Sequence, residues 1–147
     1  MTIREILAGK GDKIYAVTPE TQVGDAVTLM INQDISSVVV VREGKLAGLV
    51  TLREVLRGLH RLGPKLTGVP VAQIMTAQPI TGHPDDSVHQ LRTVMTENHI
   101  THLPILEKGA LIGIISFQDV ARSAMKDVAF ENTLLKSYIK HWPEPAS

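Results

Sequence analysis

The chain is 147 residues long, 44% hydrophobic and 20% charged, with two Phe, two Tyr and one Trp. That is the make-up of one ordinary globular unit with an aliphatic core. Fifteen Lys plus Arg cancel fifteen Asp plus Glu, and cysteine is absent, which excludes capture of nucleic acid or an anionic membrane by net charge, disulfides and thiolate chemistry. No apolar run reaches the roughly 18 residues of a membrane span, and Met1-Thr2-Ile3-Arg4-Glu5 carries no signal core, so the expected setting is the cytoplasm.

In chain order, a short opening segment, Arg4-Glu5-Ile6-Leu7, precedes a loop at Gly9-Lys10-Gly11-Asp12-Lys13. Val23, Ala26, Val27 and Met30 then fall at i, i+3, i+4 and i+7, which predicts a helix with one buried face. The run Val38-Val39-Val40-Val41 predicts a buried strand, and Glu43-Gly44 a tight reversal into a second strand, Leu46 to Thr51. A helix from Leu52 to Leu62 follows, and Gly63 to Pro70, with two Gly and two Pro, reads as a linker.

The series then repeats at an offset of 65 residues. Pro19/Pro84, Val23/Val88, Thr28/Thr93, Met30/Met95, Ile35/Ile100, Gly44/Gly109, Leu46/Leu111, Gly48/Gly113, Val55/Val120 and Arg57/Arg122 are identical pairs. The second copy predicts a helix on Val88, Leu91 and Met95 with a Ser87/Gln90 capping box, a strand at Leu103 to Leu106, a Lys108-Gly109 turn, a strand from Leu111 to Ser116 and a helix from Phe117 to Met125. Arg4-Glu5-Ile6-Leu7 pairs with Ala72-Gln73-Ile74-Met75 only if the first copy holds three extra residues near Gly9 to Lys13. Leu135, Tyr138, Ile139 and Trp142 mark a C-terminal amphipathic helix, ended by Pro143, that packs on the module, across a homodimer or, in the sharper alternative, on a protein partner.

Each copy begins near a Val-x-x-Ile-Met-Thr-like segment, Val71 to Thr76 in the second, and ends in Gly-aliphatic-aliphatic-Ser/Thr-x-x-Asp, here Gly113-Ile114-Ile115-Ser116-Phe117-Gln118-Asp119. With the strand motif His99-Ile100-Thr101-His102-Leu103-Pro104-Ile105, this doubled series resembles a pair of cystathionine β-synthase (CBS) domains, the Bateman module. The resemblance implies an α/β fold (α+β by some schemes) of two pseudo-symmetric β-α-β-β-α repeats packed through their sheets. The expected boundaries are 1–65 for the first repeat, 66–127 for the second, and 128–147 for the C-terminal helix and tail.

The resemblance also implies binding of an adenosine-containing ligand, such as AMP, ADP, ATP, NAD or S-adenosylmethionine, in clefts between the repeats. A strand ending at Ser116 and a helix starting at Phe117 offer a hydroxyl and unpaired N–H groups to phosphate, and Asp119 can accept a ribose diol. The blander reading is that Ser116 caps the helix and Asp119 decorates its first turn. The first copy keeps Thr51 but places Glu54 at the ribose position, so two unequal sites are expected, with Arg53 reaching toward phosphate. The adenine is assigned to Thr81, Gly82, His83, Thr101, His102, Leu103 and Pro104 in the second copy and to Val17, Thr18, Ser36, Ser37 and Val38 in the first.

Arg53, Arg57, Arg61 and Lys65, with His60 beside them, form the one clustered charge, read first as a solvated face, then as a phosphate-reaching surface, and last as a nucleic-acid contact. His99 and His102 suggest a metal pair, but one ends a helix, the other starts a strand and no third ligand follows. Ser116 lacks the nucleophile elbow of a hydrolase. The expected function is therefore a non-enzymatic, homodimeric regulatory module that senses an adenine nucleotide or dinucleotide and binds no catalytic cofactor, metal or membrane. The alternative is a dimeric interaction scaffold with vestigial pockets.

Overall fold

The computed structural model describes residues 1–11 and 13–126; the expected C-terminal helix on Leu135 to Trp142 lies outside them. The described elements are helix α1 (Ile3–Lys10), strand β1 (Ala16–Val17), α2 (Val23–Asn32), β2 (Ser37–Arg42), β3 (Lys45–Thr51), α3 (Leu52–Leu62), β4 (Thr76–Ala77), α4 (Val88–Glu97), β5 (His102–Glu107), β6 (Ala110–Ser116) and α5, which starts at residue 117 and is described to 126. None of the described helices is long and apolar enough to cross a membrane.

The two copies fold alike. β2 and β3 pair antiparallel about a turn with Glu43 at φ 51° and Gly44 at φ 76°; β5 and β6 do so about Lys108 at 52° and Gly109 at 79°. Positive φ at both central residues is the reversal that matches strand twist, and glycine adopts it without a Cβ penalty. Both hairpins slip register at the same place, Val40/Val41 and Ile105/Leu106. β1 adds parallel to β2, and a single parallel bridge, Gly82 to Ile105, takes its place in the second copy. The expected stripes are buried: Val23, Ala26 and Met30 on α2, and Leu91 and Met95 on α4. The Ser87/Gln90 capping box forms, and Thr51 with Glu54 makes another on α3.

The opening segments are exchanged between the repeats. Ile3 of α1 is fully buried with Leu103, Ile105 and Ile115 of the second sheet, whereas Val71 is fully buried with Val38, Val40 and Val50 of the first. Burying such a side chain contributes about 1.5–3 kcal/mol, so each copy is completed by the other's neighbouring chain. Gly113 leaves room for Leu7, and Gly48 for Met75, the pair expected from the alignment of the two segments; a Cβ at Gly48 would lie 2.5 Å from the Met75 sulfur. Arg4 bonds Asp85 and Glu107 and fastens α1 to the second repeat.

The expected linker between the copies is itself folded. Gly63–Gly68 forms a 3-10 helix whose Leu66 is buried in the first core, against Gly58, while Thr67 packs on Gly24. Gly and Pro mark it as a break in α-helix, yet its one large apolar residue has a core to enter.

Candidate functional site

The exchange brings the end of each β3-type strand against the other repeat, so that two related clefts form. The first, of 340 Å³, carries Ser116 and Asp119 of the second repeat on one wall and Tyr15, Ile35, Ser36 and Ser37 of the first on the other. The second, of 190 Å³, carries Thr51, Arg53 and Glu54 opposite Ile80, Ile100, Thr101 and His102. The 65-residue offset maps one set onto the other: Tyr15 onto Ile80, Ile35 onto Ile100, Ser36 onto Thr101, Ser37 onto His102 and Glu54 onto Asp119. Only the first cleft reaches the lower end of the roughly 300–1,000 Å³ that small-molecule sites occupy.

Asp119 lies in the first turn of α5 and is 9% exposed. Its Oδ2 accepts hydrogen bonds from the Ser116 backbone N–H at 2.9 Å, the Ser116 hydroxyl at 3.0 Å and Lys10 Nζ at 2.7 Å. The Asp119 N–H donates back to Ser116 Oγ at 3.2 Å. Burial opposes the charged form, but the Lys10 ammonium and the Ser116 donors outweigh it and hold the carboxyl below the usual aspartate range. The other oxygen, Oδ1, faces Arg122 Nη1 at 3.7 Å, beyond hydrogen-bond distance. Ser116 thus caps the helix and Asp119 completes the cap, yet the carboxylate keeps an oxygen able to accept a diol.

Glu54 is built into its own helix start more tightly. Its Oε1 accepts from both the Thr51 N–H and the Thr51 hydroxyl at 2.9 Å, and it is 8% exposed. The extra methylene lets the carboxylate fold back onto Thr51. Among the described residues it has no ion-pair partner. Arg53 does not reach freely into this cleft: its Nη1 donates to the His99 carbonyl at 2.7 Å. That carbonyl belongs to a residue at φ 53°, a bend Asp34 repeats at 52° beside the first cleft.

His102 lines both clefts. Its Nε2 shares a hydrogen bond with Ser36 Oγ at 3.0 Å and its Nδ1 with Thr101 Oγ1 at 2.9 Å, so the ring ties the two repeats together. Burial, assisted by nearby Lys10 and opposed by Asp119, pushes it down to about 4, which makes it a neutral imidazole at physiological pH. A third cavity, of 370 Å³, lies where α3 and α5 begin side by side, between Leu52, Arg53, Phe117 and Gln118.

Val38 and Leu103 are 1% exposed within the two cores, and Pro104 is buried beside Leu103. Val17 pairs with Val40 in the sheet, and Thr18 is exposed and bonded to Thr21. Thr81 and Gly82 line a separate surface cavity with Leu103. His83 stands with Asp85 and Glu107 in a group of metal-ligand type, but the Arg4 guanidinium bonds both carboxylates there. In the basic stripe, Arg57 borders the second cleft and Arg61 donates to the Gln73 carbonyl at 2.9 Å. Lys10, Lys13, Tyr15, Asp34, Ile35, Gln78 and Ile80 line the clefts as well; the 65-residue offset, which takes Tyr15 to Ile80 and Ile35 to Ile100, is the sequence signal for the apolar ones.

The CBS domain profile matches residues 3–61 and 71–126. A mitochondrial CBS domain-containing protein of Arabidopsis thaliana, CBSX3, is 32% identical over 95% of this chain and 72% of its own. A putative signal-transduction protein with CBS domains from Burkholderia ambifaria superposes with a TM-score of 0.78 at 31% identity, over 100% of both chains. Two neighbours solved with ligands share the fold. CBSX2 in complex with AMP has a TM-score of 0.71 at 24% identity, over 85% of this chain and 96% of its own. The CBS domain pair of protein MJ0100, with 5′-methylthioadenosine and S-adenosyl-L-methionine, has a TM-score of 0.77 at 22% identity, over 86% and 98%. With two matched copies, the exchanged opening segments and the paired clefts, the chain belongs to the CBS domain family.

Proposed function

We propose that this CBS pair is a regulatory module that binds an adenosine-containing ligand of the AMP, ADP, ATP or NAD type in the cleft bounded by Asp119, and that occupancy changes the packing of the repeats or the geometry of a homodimer. The observation that carries this reading is Asp119 itself: a nearly buried, ionised carboxylate beside a hydroxyl at a helix start, opening on a 340 Å³ cleft that both repeats build. A ribose diol donates to such an acceptor, and the start of α5 favours the anionic end of a nucleotide through its dipole, although two of the N–H groups expected to be unpaired there are taken, Phe117 by the Thr101 carbonyl at 2.8 Å and Asp119 by Ser116 Oγ. Tyr15 and Ile35 supply apolar surface for a base. Because the cleft spans the repeats, a ligand that favours one relative packing shifts the population toward it.

The module acts by binding rather than by turnover: Ser116 Oγ is committed to the Asp119 N–H and carboxylate, and among the described residues no histidine bonds it. A cytoplasmic setting fits the cysteine-free composition. The test is a thermal-shift panel of AMP, ADP, ATP, NAD and S-adenosylmethionine, where ligand at about 100 times its Kd stabilises by about 2.7 kcal/mol. No shift with any compound refutes the reading.

The scaffold alternative draws on a different observation. Leu52, Leu56 and Leu59 are 62%, 68% and 52% exposed on one side of α3, with Phe117 at the start of α5 also exposed. A stripe of this kind on one helix suits self-association, since isolated exposed apolar residues are ordinary but aligned ones mark an interface. Homodimerisation serves both readings; ligand binding separates them.

A further inference from the structure

We propose that Lys10 makes the Asp119 cleft selective for phosphorylated adenosine compounds and that neutral or cationic ones are discriminated against. This rests on the reading of that cleft as an adenosine-ligand site. Lys10 ends α1, the helix that Arg4 and Ile3 dock on the second repeat. Its ammonium bonds Asp119 Oδ2 at 2.7 Å and the Ile114 carbonyl at 2.9 Å. It lies in the stretch where the first copy holds three residues more than the second. The insertion gives the Asp119 cleft a cation bonded to its carboxylate, whereas among the described residues Glu54 is bonded by Thr51 and by no cation, although Arg53 and Arg57 border that cleft.

The position of this ion pair sets the selectivity. A ribose that donates to Asp119 Oδ1 draws on the charge of the carboxylate that the ammonium bonds through Oδ2. A neutral nucleoside that binds there leaves the Lys10 ammonium, whose side chain is 36% exposed, with a weakened counter-ion and no anion in exchange. A phosphate offers the ammonium a replacement anion, and a charge-assisted hydrogen bond of that kind changes affinity by about ten- to a hundredfold. A sulfonium brings a second cation beside it. The surroundings supply both room and sign. A second cavity, of 370 Å³, meets the cleft at Lys10 and Asp119 and is bordered by Arg122 and Lys126, with Glu5 as its other carboxylate. Lys13 and Asp34 face the cleft from the first repeat.

Titration calorimetry on the full chain, with AMP, adenosine and S-adenosylmethionine as probes, tests this. Binding is assigned to this cleft by its loss in Asp119→Ala. Wild type is expected to bind AMP at least about tenfold more tightly than adenosine or S-adenosylmethionine, with a margin that shrinks as salt rises. Lys10→Met is expected to weaken AMP about tenfold while leaving adenosine unchanged or tighter, and Lys10→Arg to restore the preference for AMP. A purely structural role for the Ile114 bond would instead weaken both ligands equally in Lys10→Met and overturns the proposal. Equal affinity for AMP and adenosine in wild type overturns it without recourse to any variant. Binding without charge preference leaves the adenosine reading standing; absence of binding for all three probes overturns this proposal, and absence for ADP, ATP and NAD as well refutes that reading with it.

Discussion

Replacing His102 by glutamine should remove an acid sensitivity that the fold builds into the junction of the repeats. The ring is held neutral, pushed from an ordinary 6.5 to about 4 by burial and by Lys10. In the unfolded chain the same imidazole takes up a proton as pH falls below about 6.5. The unfolded state therefore binds more protons across this window, and the stability contributed by the neutral ring is complete above 6.5 and drains away as pH falls toward 4. At about 1.4 kcal/mol per tenfold change in proton affinity, the loss amounts to about 3 kcal/mol. The measurement is urea denaturation of wild type and His102→Gln at pH 7.5, 5.5 and 4.0, taking the difference at each pH so that the other histidines and the carboxylates cancel. The wild-type advantage should shrink by up to about 3 kcal/mol between pH 7.5 and 4.0. Parallel profiles over that range would refute the argument, because they would mean that His102 titrates as it does in the unfolded chain.

Gly48→Ala should destabilise the chain by about 1–3 kcal/mol, as measured by thermal or urea unfolding, because its Cβ meets the Met75 sulfur at 2.5 Å and the Thr76 carbonyl oxygen at 3.0 Å. Gly113→Ala should cost less, since there only the tip of Leu7 has to move. Leu56→Glu places a charge in the exposed stripe of α3 and should convert a dimer to a monomer in light scattering while leaving the melting temperature of the monomeric fold within a few degrees. Ser87→Ala removes the cap of α4 and should cost about 1 kcal/mol, with little effect on ligand binding because Ser87 lines neither cleft.

Much of this architecture was written in local pattern. The glycines of both turns, the stripes on α2 and α4, and the Ser87 box all follow from short-range rules that tertiary context did not override, and the 65-residue offset carried each across both copies. The alignment of Arg4 to Leu7 with Ala72 to Met75 anticipated that Leu7 and Met75 are equivalents. Which sheet each segment joins was not legible, because a buried Ile3 or Val71 satisfies an apolar pattern equally well on either repeat. The site shows the same limit. Ser116, Asp119, Thr51 and Glu54 were visible as helix-start chemistry, whereas Lys10 fell in a segment read as a loop insertion, and its partner lies 109 positions away. Glu54 carried a sequence signal of inequality whose form only the structure supplies: the longer side chain folds onto Thr51.

On the proposed reading, Asp119 anchors an adenosine ligand and Glu54 does not. Titration calorimetry of AMP into wild type, Asp119→Ala and Glu54→Ala tests it most directly. Binding is expected to be lost, or weakened at least about tenfold, in Asp119→Ala and kept within about threefold in Glu54→Ala. Equal losses from the two substitutions, or undiminished binding in Asp119→Ala, would contradict it.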